Sequence, residues 1–224
     1  MKKYWIYFLL AAPIVLAVLA LNGYGFFFKS GTAGSGILIL LFIYFKKTNR
    51  NKDLWMLIGA FGFSIAGDWF LSNMKENSGI FVTGIALYFI AHFGYLTYAV
   101  YNGKINKVFT GLLLIGFLVF YFITLFPAIE GGIMKSAVLI YLLISCLSLG
   151  AAFGLKTNAI VKWSYTFGIA LILFSDTVIS FKEFVGYNGL NYLILPTYYL
   201  AHISIIFSVL TEKVYVRKKT NIHL

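Results

Sequence analysis

Long apolar runs separated by short polar segments dominate this chain. We identify eight such runs, over about 4–22, 31–45, 54–73, 79–101, 108–126, 133–154, 161–181 and 190–211. A helix needs about 20 mostly apolar residues to cross roughly 30 Å of hydrocarbon. All the runs except the second approach or exceed that length. The pattern therefore predicts an all-α membrane protein with about eight transmembrane helices.

The first two runs need separate comment. The first has the basic start and apolar stretch of a signal peptide, but nothing around Ala20–Tyr24 resembles a cleavage site, so we keep it as a span. The second run is short and Gly-rich at its start, with Gly31, Gly34 and Gly36, and its beginning is poorly marked.

The basic residues lie mainly on one side of the predicted membrane. With the N-terminus inside, fourteen of the eighteen Lys and Arg residues fall in inner segments, and the outer segments hold only Lys29, Lys75, Lys135 and Lys182. Cytoplasmic loops carry such an excess of Lys and Arg. The inner set comprises Lys2, Lys3, Lys46, Lys47, Arg50, Lys52, Lys104, Lys107, Lys156, Lys162, Lys213, Arg217, Lys218 and Lys219. The bias predicts that both termini are cytoplasmic.

Composition supports a lipid environment. The chain is 61% hydrophobic and 11% charged, whereas soluble domains carry about 25% charged residues. A net charge of +11 is often found in proteins that bind nucleic acid. Here the Lys and Arg residues are confined to short loops between apolar runs, which indicates membrane topology. We therefore expect no nucleic-acid partner. Cys146 is the only cysteine, which excludes an intramolecular disulfide and a cysteine-based zinc site.

Two carboxylic acids lie inside predicted spans. Asp68 and Asp176 each follow about fifteen residues from the inner start of a span, which places both about 22 Å from the inner face. An ionised aspartate within a membrane costs a few kcal/mol, roughly, so such residues usually face a polar interior and serve a function. Two carboxylates at one depth can share a cavity if their helices are neighbours.

An internal repeat contains these aspartates and two histidines. Tyr88-Phe-Ile-Ala-His92 resembles Tyr198-Tyr-Leu-Ala-His202 at an offset of 110 residues, and the aspartates are offset by 108. This indicates a parallel four-helix duplication with halves of about 1–103 and 104–224, within one polytopic membrane domain that covers 1–224. Such repeats often place a site at their interface. Tyr95 extends the face of Tyr88 and His92.

Structural roles are the alternative for each of these residues. An intramembrane aspartate can pair with a tyrosine or serine and join two helices. A histidine on an apolar helix is often a hydrogen-bonded core residue, and tyrosine stripes often serve packing. The two aspartates at matched depth, in matched segments, favour a functional role.

Two sequence signatures contain the aspartates. The first is Gly67-Asp68 with Trp69-Phe70-Leu71, followed by Phe81, Gly84, Phe89 to His92 and Tyr95. The second is Ser175-Asp176, followed by Pro196-Thr197-Tyr198-Tyr199-x-Ala201. These motifs resemble those of the YhhN family, which includes the transmembrane lysoplasmalogenases of animals. The resemblance implies about eight spans and a lysoplasmalogenase-like ether hydrolase. Such an enzyme cleaves the vinyl ether bond of a lysoplasmalogen to a fatty aldehyde and glycerophosphoethanolamine or glycerophosphocholine.

The resemblance also implies the roles of individual residues. The catalytic pair falls on Asp68 and Asp176, and no cofactor or metal is expected. One aspartate would be protonated and act as the acid, while the other would be ionised, as in the two-carboxyl sites of glycosidases. The expected substrate contacts are His92, Tyr88, Tyr95, Tyr198, Tyr199 and His202, with Lys29 near the phosphate.

Two other classes of function remain open from the sequence. A proton-coupled transporter or lipid-binding protein also uses repeats and intramembrane carboxylates, although the spans show little Gly or Pro interruption near the aspartates. A metal-dependent lipid hydrolase is the other alternative, since Asp and His bind zinc. We expect a monomeric, multi-pass protein of a bacterial-type inner (plasma) membrane, with membrane lipid around it and a single-chain ether phospholipid as its substrate.

Overall fold

The computed structural model describes residues 4–45, 52–75 and 77–220, without the side chains of 215–220. These segments contain eight helices that are long and apolar enough to cross a membrane. They are α1 (Tyr4–Leu21), α2 (Phe26–Phe45), α3 (Leu54–Ser72), α4 (Ser78–Tyr101), α5 (Lys107–Ala128), α6 (Gly132–Phe153), α7 (Ala159–Val185) and α8 (Ile194–Thr220). The described chain contains no strand. The predicted all-helical architecture with eight spans is confirmed.

Several predicted boundaries were wrong. The second helix begins at Phe26, five residues before the predicted start at 31. Lys29 therefore lies in the first turns of α2 and not in a loop, because the helix continues outward through the polar residues that lowered the apolar signal. At the other end of the chain, α8 extends to Thr220, well past the predicted end at 211.

Asparagine side chains cap three of the helices. Asn77 Oδ1 accepts hydrogen bonds from the backbone N–H groups of Gly79 and Ile80 at the start of α4. Asn106 caps α5 and Asn158 caps α7 in the same way. Such caps satisfy the N–H groups that the first turn leaves without a helical partner. They fix the start of α4 and α7, the two helices that carry His92 and Asp176.

Helix α4 lies between α3 and α6. It packs along α3 on one side and along α6 on the other, and α6 packs against α7. Gly94 permits close approach to α3, because a Cβ there would lie 2.7 Å from the carbonyl oxygen of Met56. Helix α8 packs against α7, α2 and α1.

Large apolar side chains cover the outside of the helices. Ile133 is 79% exposed and Val108 is 76% exposed, and both lie on helices long enough to span a membrane. An exposed apolar surface of this extent is typical of contact with lipid.

The repeat and the orientation of the termini stay predictions. Lys2, Lys3, Lys46, Lys47 and Arg50, which contribute to the charge bias, lie outside the described residues. The side chains of Arg217, Lys218 and Lys219 lie outside them as well.

Candidate functional site

Asp68 is buried beneath two tyrosine hydroxyl groups. Its side chain lies in α3 and is only 3% exposed. Tyr88 of α4 donates a hydrogen bond to Oδ1 at 2.5 Å, and Tyr198 of α8 donates one to Oδ2 at 3.1 Å. Both oxygen atoms of the carboxyl group are therefore engaged by phenols from two different helices. The two tyrosines occupy equivalent positions in the predicted repeat, yet both contact the same aspartate.

Asp176 has different neighbours and a more open position. Tyr141 of α6 donates a hydrogen bond to Oδ2 at 2.5 Å. His92 Nε2 lies 3.5 Å from the same oxygen, a distance that gives an ion pair when the imidazole is protonated. The Asp176 side chain is 15% exposed, whereas that of His92 is 1% exposed. Asp176 is thus the more accessible of the two aspartates.

The two carboxyl groups have separate partners. Within the described residues, no hydrogen bond joins Asp68 to Asp176, and α4 contributes a contact to each: Tyr88 contacts the first and His92 the second. Because Tyr88 and His92 lie one turn apart on α4, the two aspartates belong to one polar layer.

An apolar cleft of about 440 Å³ reaches Asp176. We call it the aspartate cleft, and it is lined by residues of α3, α4, α6 and α7: Leu71, Phe81, Ile85, Tyr88, Val138, Tyr141, Asp176, Ile179, Ser180 and Phe184. Ligand pockets typically combine apolar walls with a few precisely placed polar groups. The polar side chains here are those of Tyr88, Tyr141, Asp176 and Ser180.

A second cleft of about 480 Å³ adjoins the first. We call it the lysine cleft, and its lining residues are Lys29, Leu71, Met74, Phe81, Ile179, Lys182, Glu183 and Ile194. Leu71, Phe81 and Ile179 line both clefts. The Lys29 ammonium donates a hydrogen bond to Ser72 Oγ at 2.9 Å. Lys29 thus lies in the cleft that also contains Lys182 and Glu183, and its contact with a phosphate stays a prediction.

The remaining predicted contacts lie behind the cleft walls. The His202 ring is fully buried, 4.4 Å from the ring of Tyr198 and 5.0 Å from that of Phe61 between ring centroids. Tyr199 is buried beside Tyr198, and the Tyr95 hydroxyl faces Ser64 Oγ at 3.5 Å. The predicted substrate contacts that line neither cleft are His92, Tyr95, Tyr198, Tyr199 and His202. They surround the buried side of the polar layer.

Tyr141 is the principal residue that sequence reasoning missed. It lies on α6, outside the two pairs of spans that the repeat motif covers, and no motif marks it. Its hydroxyl contacts Asp176, and its ring lies 5.3 Å from that of His92. A tyrosine facing inward at the depth of the aspartates was the only signal that sequence offered. Among the described residues, no group of three or more His, Cys, Asp or Glu side chains is arranged to hold a metal ion.

The fold and the site define a multi-pass, all-helical membrane protein in which one aspartate is buried and a second, partly exposed one lines an apolar cleft. The sequence profile of the YhhN family matches residues 27–209, most of the chain. This chain belongs to the YhhN family, so the family resemblance is confirmed. The family includes hydrolases. No curated protein and no solved structure matches the chain in the same comparisons.

Proposed function

We propose that this protein is a membrane-embedded hydrolase that cleaves the vinyl ether bond of a lysoplasmalogen. The products are a fatty aldehyde and glycerophosphoethanolamine or glycerophosphocholine. The observation that carries the proposal is the position of Asp176, a carboxyl group in the wall of an otherwise mostly apolar cleft. Membership of a family that includes hydrolases supports it.

The shape and polarity of the two clefts suit a lipid with one chain. The aspartate cleft has apolar walls for the alkenyl chain, and the adjoining lysine cleft offers ammonium groups for the phosphate. The vinyl ether lies between these two parts of the substrate. A lysolipid that spans both clefts therefore brings its double bond toward Asp176.

The proposed chemistry begins with the transfer of a proton to a carbon atom of the substrate. The acid transfers a proton to the β-carbon of the vinyl ether, and the double-bond electrons form the new C–H bond and leave an oxocarbenium ion. Water adds to the α-carbon and loses a proton, which gives a hemiacetal. The hemiacetal hydroxyl then loses its proton and its electrons form the C=O bond, while the C–O bond to glycerol breaks and that oxygen accepts a proton. The sum is one vinyl ether and one water converted to one aldehyde and one alcohol, with no oxidant or reductant.

The contacts of the two aspartates support different roles. Asp176 reaches the cleft and is assigned the proton transfer to substrate. Asp68 is enclosed by two phenols, so we assign it a positioning role through Tyr88, whose ring lines the same cleft. A carboxylate that accepts a hydrogen bond from the Tyr88 hydroxyl orients the phenol oxygen. That oxygen stabilises a positive charge that develops in the cleft.

We assign His92 the role of orienting the attacking water. Its ring is buried against Tyr141, and Nε2 is close to the Asp176 carboxyl group. A neutral imidazole can accept a proton from water on one nitrogen. This position lets His92 orient the attacking water next to the carboxyl group that returns a proton to the leaving oxygen.

The same proposal includes the parallel repeat with both termini cytoplasmic. The neighbours of the helices support the repeat, because three packed pairs in one part of the chain have counterparts in the other. The pair α3–α4 corresponds to α7–α8, the pair α2–α3 to α6–α7, and the pair α4–α6 to α8–α2. The functional site then lies where the two halves meet.

Aldehyde release by the purified protein tests the function. Wild type should convert a lysoplasmalogen to free aldehyde, and Asp176→Asn should lower kcat by about 100-fold or more, the usual contribution of a general acid. Asp68→Asn should also lower kcat. Asp53→Asn is the control, because Asp53 is as buried as Asp68 but accepts a hydrogen bond from Asn102, outside both clefts. Wild-type turnover in Asp176→Asn would remove that residue from the mechanism.

A further inference from the structure

The lysine cleft presents charges of both signs. The Lys29 ammonium contacts the neutral hydroxyl of Ser72, and it forms no salt bridge within the described residues. Lys182 and Glu183 form an ion pair at 2.6 Å and are partly exposed, with 42% and 20% of their side chains accessible. The cleft therefore offers two cationic groups and one anionic group, with a net positive charge.

A local change of helix geometry brings the charged residues of α7 to this cleft. Residues Phe181–Val185 form a π-helical turn that directly follows the regular helix carrying Asp176. In this turn Lys182 and Glu183 line the lysine cleft, and Phe184 lines the aspartate cleft and contacts the ring of Phe81. Single π-helical turns inside helices occur frequently at functional sites. One short segment thus contributes to both clefts.

The walls of the two clefts are continuous. Leu71, Phe81 and Ile179 belong to both, so a bound molecule can contact the lysine cleft at one end and Asp176 at the other. A ligand that fills both must have a charged end and an apolar end. The number and sign of the charges in the lysine cleft then decide which polar end is bound best.

We infer that the lysine cleft binds a zwitterionic phosphoethanolamine head group, with its phosphate on Lys29 and Lys182 and its ammonium on Glu183. This inference rests on the proposed function, because it assigns the polar end of the same substrate. Charge-assisted hydrogen bonds from ammonium groups to phosphate oxygens, and from an ammonium to a carboxylate, are stronger than neutral ones. The ammonium of the head group replaces Lys182 as the partner of Glu183, which frees Lys182 for the phosphate.

The chemistry of this cleft favours a primary ammonium over a quaternary one. A primary ammonium donates hydrogen bonds to the Glu183 carboxylate, whereas a trimethylammonium group has no N–H to donate. Quaternary ammonium groups are recognised by cages of aromatic rings, and Phe81 is the one aromatic residue among those that line the lysine cleft. Phosphoethanolamine is therefore the preferred head group and phosphocholine the weaker one.

Three substrates with the same alkenyl chain test the inference. They are the alkenyl-glycerophosphoethanolamine, the alkenyl-glycerophosphocholine and the alkenylglycerol without phosphate, each assayed for aldehyde release by the full-length protein. In Lys29→Gln, kcat/KM for each phospholipid relative to the alkenylglycerol should fall about tenfold, the effect of one lost hydrogen bond between charged groups. Lys135→Gln, whose ammonium lies over the Phe126 ring, is the control and should leave this ratio unchanged.

Glu183→Gln tests the ammonium contact separately. The preference of wild type for phosphoethanolamine over phosphocholine should disappear, mainly through a higher KM for the former. An unchanged preference in Glu183→Gln, or an unchanged ratio in Lys29→Gln, would overturn the inference while wild-type activity still supported the proposed function. No aldehyde from any of the three substrates with wild type would instead overturn the proposed function.

Free ligands distinguish a head group from a simple phosphate site. Glycerophosphoethanolamine should compete with the lysolipid for the wild-type protein and should no longer compete for the Glu183→Gln variant. Inorganic phosphate that competed equally well would show that the cleft recognises phosphate alone, and it would overturn the assignment of Glu183.

Discussion

At the residue scale, each aspartate accepts hydrogen bonds from tyrosine hydroxyl groups. Tyr88 and Tyr198 enclose Asp68, and Tyr141 holds Asp176 at the edge of the cleft. The sequence identified both aspartates because charge is rare inside membrane spans. It did not show which aspartate each tyrosine contacts, since that depends on the rotation of each helix against its neighbours. It missed Tyr141 for the same reason.

The Tyr141→Phe variant tests the importance of the Asp176 contact. Loss of one hydrogen bond to a charged or proton-sharing carboxyl group should lower kcat by about 10-fold to 100-fold. The measurement is the rate of aldehyde release at saturating lysoplasmalogen. Tyr121→Phe is a suitable control, because Tyr121 is a buried tyrosine whose hydroxyl donates a hydrogen bond to a backbone oxygen, that of Lys135. Equal rates for both variants would show that the Tyr141 hydroxyl has no catalytic role.

Helix α4 connects the two aspartates at the element scale. It carries Tyr88 and His92 one turn apart, so that one face of a single helix contacts Asp68 of α3 and Asp176 of α7. The sequence predicted this shared face from the spacing of the two residues. The start of α2 was predicted wrongly because Lys29, Ser30 and the glycines interrupt the apolar pattern, whereas the backbone hydrogen bonds of the helix continue through them.

Close approach of α3 and α4 depends on Gly67. A Cβ at this position would lie 2.8 Å from a ring carbon of Tyr88, so Gly67→Ala should displace the phenol from Asp68. We expect a loss of stability of about 1–3 kcal/mol, as for overpacked cores, together with a clear loss of activity. Thermal denaturation in detergent and aldehyde release measure the two effects.

Gly62→Ala provides the control for this variant on the same helix. A Cβ at Gly62 would meet no atom within 4 Å, so this variant should resemble wild type in both measurements. If Gly67→Ala kept full activity and stability, the position of Tyr88 would not depend on this contact.

Eight spans with a biased distribution of basic residues define the whole molecule. The length and hydropathy of the runs were enough to predict the number of helices, because a bilayer imposes a minimum length on every span. The clefts were beyond sequence analysis, since they arise where four or five helices from distant parts of the chain meet. The orientation in the membrane rests on the charge bias.

Thiol labelling in intact cells tests this orientation. Asn188→Cys, in the segment between α7 and α8, should react with a membrane-impermeant maleimide, because that segment is predicted to be outside. Lys156→Cys, between α6 and α7, should react only after the membrane is permeabilised. The native Cys146 is fully buried and gives little background. The reverse pattern would invert the topology and place the lysine cleft on the cytoplasmic side.

Hydrolysis of a lysoplasmalogen in heavy water is the most direct test of the catalytic account. Proton transfer to the β-carbon should leave one deuterium at carbon 2 of the released aldehyde, and Asp176→Asn should lose this product while the protein stays folded. Aldehyde released without deuterium, or labelled aldehyde formed by Asp176→Asn at the wild-type rate, would contradict carboxyl-catalysed cleavage of the vinyl ether.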